Sequence, residues 1–346
     1  MTSSTLMSEG IGRSGKTPKK TGRVASCIGL FIAVFLFLAA CRVLHRTFAG
    51  LRLADIRQAL GSLPLQAIGR ALILTVVNYL VLAGYDRLAL KYIRKNIGNL
   101  RPFLAAFMGC AFSAGLGFAA VTGSSVRIRL YSGWGLDRVE IAKILFFCNL
   151  TVCLGVATTV GVSFLAQSHL VSLPGIASPL AARITGALLL CAVTVYLLFC
   201  TFHRRTYSFR GEGFSLPSLR LSVGQVLVSS ADLACAAGVL YMLMPASSAV
   251  SYLQFLAVFL VAQTAGLLSQ VPGGLGVLES IIVTIFPPVV PARDIVASFV
   301  VYRAVYYLLP LIIATGTLVT HEAFEHRRQV GSLIGLFGKW RTGALL

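Results

Sequence analysis

Nine apolar stretches, at about 24–41, 64–86, 102–122, 140–165, 180–202, 220–244, 252–271, 275–287 and 294–320, run almost end to end through this 346-residue chain. Most are long enough to cross the ~30 Å hydrocarbon layer of a bilayer as helices. Only 12% of the residues are charged, against about 25% in an ordinary soluble domain. No soluble core has room for so much apolar surface, so the fold class is all-α, a polytopic integral membrane protein. The 30 Lys and Arg against 11 Asp and Glu give a formal charge of +19. Most of these bases lie in short loops beside apolar stretches, where they set topology and meet anionic headgroups. They do not form a nucleic-acid surface.

Bridging the seventh and eighth apolar stretches stands Gln270-Val-Pro272-Gly273-Gly274-Leu-Gly276-Val-Leu-Glu279. At membrane depth, a helix broken this way survives only where it is buried in protein or lines a wet cavity, because lipid cannot satisfy free backbone groups. Leaving a carboxylate ionised there costs several kcal/mol, which marks Glu279 as a functional candidate. Pro272, Gly273, Gly274 and Gly276 open the helix, with Gly123 as the counterpart tip residue of an earlier hairpin.

Two motifs near the N-terminus mislead. Gly10 to Thr17 matches the phosphate-loop spacing GxxxxGK[ST], but a polar tail precedes it and Pro18 follows, so the strand and helix that aim backbone N–H groups at phosphate are missing. Val24–Ala40, ending in Leu38-Ala-Ala-Cys41, is similar to a lipoprotein cleavage box. A retained first helix is the expectation, because a series of spans follows. The eight cysteines form no CxxC pair and pack as small apolar residues. His321 and His326 are five residues apart, the wrong spacing for a zinc-protease pair. Neither a metal nor a cofactor is expected.

Loop charge predicts the topology. Basic residues cluster in the 1–23 tail, in 87–101, 123–143 and 203–220, and in the 321–346 tail, whereas 165–179 and 245–251 carry no charge. By the positive-inside rule the basic group, with both termini, is cytoplasmic. Loops 87–101 and 123–143 then lie on one side although an apolar segment separates them. A re-entrant hairpin over 102–132, weakened at Ser113–Gly117, resolves this conflict. The same parity makes 252–287 a hairpin entering from outside. The total is about six full spans plus two re-entrant hairpins. The 42–63 loop, with Arg42, Arg46, Arg52 and Arg57 on the predicted outer side, runs against the rule. Two units emerge, about 64–165 and 220–320, joined by helix 180–202. One intervening span inverts the second, as in transporter repeats with broken helices.

Several segments together resemble the transmembrane flippase region of the bacterial lysylphosphatidylglycerol synthase (multiple peptide resistance) family. They are Ala83-Gly-Tyr-Asp86, Thr122-Gly-Ser-Ser-Val-Arg127-Ile-Arg129-Leu-Tyr131, Gly135-Leu136 before Glu140-Ile141, and Phe147-Cys-Asn-Leu-Thr151. Further on come Ser230-Ala-Asp232, Ala262-Gln-Thr-Ala-Gly266, Pro272 to Glu279, and Tyr302-Arg303 to Pro310. The resemblance covers roughly 64–320. It implies a flippase-like transmembrane domain over 24–320 in a bacterial cytoplasmic (inner) membrane, moving an anionic or aminoacylated phospholipid between leaflets. Full-length members carry a large cytosolic aminoacyltransferase domain, whereas only about 26 residues follow the last apolar stretch here. No enzyme activity is therefore expected. The alternative is a non-transporting membrane subunit that recruits a separate lipid-modifying transferase, including one of a hopanoid or glycolipid pathway. Homo-oligomer formation is compatible with either.

Six residues are candidates for lipid binding or translocation. Arg127 and Arg129 suit a lipid phosphate through guanidinium forks, or else set topology and snorkel to headgroups. Tyr131 suits an interfacial anchor. Glu279 suits a cationic headgroup or an arginine, or else caps the broken helix. Asp232 and Arg303, at similar depths in 220–244 and 294–320, are expected to pair with each other. Asn78, Asn149, Gln225 and Gln263 are expected to hold helices together.

Overall fold

The computed structural model describes residues 61, 63–116, 119–168, 178–202, 206–209, 212–245, 250–268, 274, 276–286 and 292–320. The 24–41 helix, the 42–63 arginines, the phosphate-loop decoy, Pro272, Gly273 and the 321–346 tail lie outside them.

Among the described residues, five helices are long and apolar enough to cross a bilayer. They are α1 (Leu65–Tyr92), α4 (Arg138–Ala166), α5 (Pro179–Phe202), α6 (Leu219–Leu243) and the span Asp294–Thr320. The chain is an all-α polytopic membrane protein. A two-stranded antiparallel hairpin, β1 (Thr206–Phe209) and β2 (Glu212–Ser215), connects α5 to α6.

Four shorter helices complete the described fold: α2 (Leu100–Leu116), α3 (Ala119–Gly133), α7 (Tyr252–Leu268) and α8 (Val277–Ile285). At 1.5 Å per residue, a 17-residue helix such as α2 or α7 rises about 25 Å, short of the ~30 Å hydrocarbon layer. Each pair therefore folds back on itself. Helix α2 ends at Leu116, within the Ser113–Gly117 stretch expected to be weak, and α3 begins at Ala119. Gly123 is not at that tip. It sits inside α3, where an added Cβ would collide with Ser113 Oγ and stand 2.9 Å from the Gly109 carbonyl oxygen. Its missing side chain lets the two limbs cross.

The first hairpin enters and leaves at one end of the bundle. There Lys95 pairs with Glu140 at 2.9 Å, and the Arg101 guanidinium lies 5.9 Å from the Trp134 ring centre. Asp137 caps α4 in a capping box with Glu140. Helices α1 and α6 run antiparallel: Gly84 abuts Val228, Gly224 abuts Leu88 and Gly238 abuts Leu74. The C-terminus of α6 thus lies at the opposite end. From there α7 departs, and α8 returns with Phe286 stacked on Phe255 at 6.0 Å. The two hairpins insert from opposite ends.

Small residues set the helix crossings, as expected where van der Waals contact replaces the hydrophobic drive. A Cβ on Gly155 of α4 would collide with Ser229 of α6, and one on Gly186 would stand 2.8 Å from the Gly161 carbonyl oxygen. Gln225 joins three spans: its Nε2 donates to Thr151 Oγ1 at 2.8 Å, and its Oε1 accepts from Tyr196 Oη at 2.8 Å. Gly155→Leu is expected to force α4 and α6 apart and destabilise the fold by about 1–3 kcal/mol or more. A lowered thermal midpoint in detergent, with Gly135→Ala falling less, checks this. Gly135 has open space around it, although its φ of +85° adds local strain.

Two apolar clusters result. One surrounds the first hairpin with Tyr85, Met108, Phe112, Tyr131 and Phe147; the other surrounds the second with Leu240, Phe259, Ile282, Phe299 and Tyr302. Polar side chains bridge them.

Candidate functional site

Helix α1 carries Asn78, Tyr85 and Asp86 inward. Residues seven apart share a helix face, so Asn78 and Tyr85 point together, and Asp86 faces one step around. Asp86 is fully buried. Its carboxylate receives the fork of Arg127, from Nε to Oδ1 at 3.1 Å and from Nη2 to Oδ2 at 3.0 Å. Tyr131 Oη donates to Oδ1 at 2.7 Å. Arg127 and Tyr131 are four residues apart on α3, so both reach the same acid. Gly109 makes room for the guanidinium: a Cβ there would lie 2.8 Å from Arg127 Nη1.

This geometry corrects two expectations. Arg127 does not snorkel to the rim but is buried on Asp86. Tyr131 is fully buried on the same acid and is no interfacial anchor. Arg129, two residues along the helix, is half-buried and lies outside this pair.

The expected Asp232–Arg303 pair does not form. Asp232 Oδ1 accepts from Asn78 Nδ2 at 2.9 Å and its Oδ2 accepts from Tyr85 Oη at 2.9 Å. Tyr306 Oη donates to Asn78 Oδ1 at 2.9 Å, which turns the amide so that its NH2 faces the acid. Arg303 instead donates from Nε to Glu279 Oε1 at 2.7 Å, and its Nη2 donates to the same oxygen. The guanidinium also lies 5.8 Å from the Tyr307 ring centre. Depth along two helices matched Asp232 to Arg303, but their rotation points them to different neighbours.

Glu279 both pairs with an arginine and caps the broken helix. Its Oε2 accepts from the Gly276 N–H at 2.9 Å, capping α8 where Gly276 holds φ +82°, while Oε1 takes the arginine. Gly274 also has positive φ, and its Cα lies against Gly266 where the hairpin closes. Beyond α9 (Ala292–Tyr302), residues Arg303–Leu308 form a π-helical turn. Pro310 follows and has no N–H to donate to the Tyr306 carbonyl, a cause for the widened turn just before it. The turn collects Arg303, Tyr306 and Tyr307 against the other elements. Tyr302 stacks on Tyr306 at 5.2 Å, and its buried hydroxyl lies in the same ring cluster as Tyr307.

The arrangement is thus three buried or half-buried acids, two of them on arginines, in a band linking both hairpins through α1, α6 and the π turn. Among the described residues, no group of three His, Cys, Asp or Glu has metal-binding geometry. Of the four amides, Asn78 and Gln225 tie helices together as expected, whereas exposed Asn149 donates to its own helix at Leu145 O. Asp86 was part of a motif but not a proposed site residue. The available signal was a lone acid in an apolar stretch, which demands a buried cation.

The model of the lysylphosphatidylglycerol synthase transmembrane region matches residues 26–314. The chain belongs to this family. An uncharacterised protein of Synechocystis is 31% identical over 75% of this chain and 80% of its own length. The inner membrane protein YbhN of Escherichia coli is 33% identical over 70% of this chain and 76% of its own length. Phosphatidylglycerol lysyltransferase of Staphylococcus aureus is 23% identical over 84% of this chain, but over only 34% of its own length. The match to that transferase therefore spans about a third of it.

Proposed function

We propose that this family member is a phospholipid flippase or transporter of the bacterial inner membrane, moving an anionic or aminoacylated, lysylphosphatidylglycerol-like phospholipid between leaflets. The carrying observation is the Glu279–Arg303 pair beside the broken helix. The Glu279 side chain is 22% exposed, whereas Asp86 in the other pair is fully covered. A headgroup bearing both a phosphate and an ammonium is able to split such a pair without leaving either half uncompensated. The phosphate takes the Arg303 fork and the ammonium takes the carboxylate. An acidic headgroup takes Arg303 alone.

In this reading Arg127, Tyr131 and Asp86 hold the first hairpin in place, and Arg129 meets headgroups at its limb. The opposed hairpins act as two gates of an inverted-repeat transporter. Units 64–165 and 220–320 would move against each other across the polar band.

Reconstitution into vesicles with fluorescent phospholipids of anionic, zwitterionic and lysyl-bearing headgroups tests the proposal. Faster leaflet exchange than in protein-free vesicles, for at least one headgroup class, is expected. Equal exchange for every class would reject it. The alternative, a membrane subunit recruiting a separate lipid-modifying transferase, gains support from the named activity of the longer staphylococcal relative. Co-purification of a transferase without exchange would favour it.

A further inference from the structure

The polar band contains three acids, Asp86, Asp232 and Glu279, but two guanidinium partners for them, Arg127 and Arg303. Asp232 is the one held by neutral donors alone, Asn78 and Tyr85. Among the described residues, the titratable groups facing it are Tyr79 and Tyr85 from α1, Cys110 from α2, Cys235 from α6 itself and Tyr306 from the π turn. None is a cation. The nearby Asp86–Arg127 pair is internally neutral. An ionised Asp232 would therefore be an uncompensated charge in a membrane domain, a state that burial penalises.

We infer that Asp232 is a proton-binding site, taking up and releasing a proton within the Tyr306–Asn78–Asp232–Tyr85 cluster. The heavy-atom frame suits both states. When Asp232 is ionised, Asn78 Nδ2 donates to Oδ1 and Tyr85 Oη donates to Oδ2. A proton arriving from water bonds to Oδ2. The Tyr85 hydroxyl then turns from donor to acceptor, and Asn78 keeps its bond, with no heavy atom displaced. On release the proton returns to water and the Tyr85 hydroxyl turns back. Of the four residues, Asp232 and Tyr306 keep some accessible surface whereas Asn78 and Tyr85 are buried, so in this proposal the proton reaches the cluster from the Asp232–Tyr306 side.

The site also sits where protonation has mechanical leverage. Asn78 is on α1, Asp232 on α6 and Tyr306 on the last span, so one titration acts on the contact between both halves of the bundle. The proton site stands on this geometry alone. Its use to drive lipid movement rests on the transport reading.

Infrared spectroscopy of the full chain in lipid nanodiscs, with carbon-13-labelled aspartate and no added cargo, tests the inference. A carbonyl band of protonated aspartic acid is expected to appear reversibly as pH falls and to vanish in Asp232→Asn. Tyr85→Phe removes a donor to the ionised form, so the transition is expected to move to higher pH, by about tenfold in proton concentration. That shift assigns the band even if Asp232→Asn fails to fold. A band unchanged by both variants, or no band at any pH the protein survives, overturns the proposal. Lipid exchange is measured separately. Exchange without a titrating band rejects the proton site alone, and a titrating band without exchange rejects transport alone.

Discussion

Asp86→Ala and Arg127→Ala are each expected to cost about 3–5 kcal/mol, the loss typical when one partner of a buried ion pair is removed. The reason lies in what is left behind. Without Asp86, a guanidinium with only 10% side-chain exposure retains no carboxylate; without Arg127, a fully covered carboxylate keeps only the Tyr131 hydroxyl. Replacing both with leucine is expected to recover much of the loss, since packed apolar residues often match a buried pair in stability. Tyr131→Phe removes a single hydrogen bond to a charged group and is expected to cost about 1.5–3 kcal/mol. The yield of monodisperse protein and its thermal midpoint in detergent measure all four. A double-leucine variant as poor as either single alanine would show that the pair does more than neutralise charge.

Arg303→Ala is expected to reduce lipid exchange at least tenfold, towards the protein-free rate, with Glu279→Ala close behind. Arg303 is the cation at the junction of α8 and the π turn, and its Nε and Nη2 converge on one carboxylate oxygen. Arg303→Lys keeps the charge but not the planar fork, so partial activity with altered headgroup preference is expected. Glu279→Gln can still accept from the Gly276 N–H and separates capping from charge. Loss of exchange in Glu279→Ala but not in Glu279→Gln would assign the residue to helix capping. Both variants exchanging lipid at the wild-type rate would remove this pair from the pathway.

Much of the architecture was legible in the chain. The five described spans coincide with apolar stretches to within a few residues, except that α1 continues six residues past 86 into its basic loop. The α2–α3 hairpin followed from two basic loops that had to share a side, a constraint that acts on whole loops and does not depend on packing. The site was less legible. Arg127, Tyr131, Asp232, Glu279 and Arg303 all fall in the polar band, but the pairing among them differs from expectation. Asp86 and Arg127 are 41 positions apart, and Asp232 and Asn78 are 154 apart. No local pattern encodes a contact at that separation.

Hydropathy and loop charge alone determined that the chain spans a membrane, where its helices lie and that its hairpins oppose each other. Water and hydrocarbon impose those choices on each segment independently, so composition suffices. Only the tertiary structure decided which acid meets which base. That depends on the rotation of each helix about its axis, set by close glycine contacts such as Gly84 on Val228 and by the π turn before Pro310. A rotation of one residue, about 100°, would point Asp232 away from Asn78 and Tyr85. Depth was readable from the sequence; direction was not.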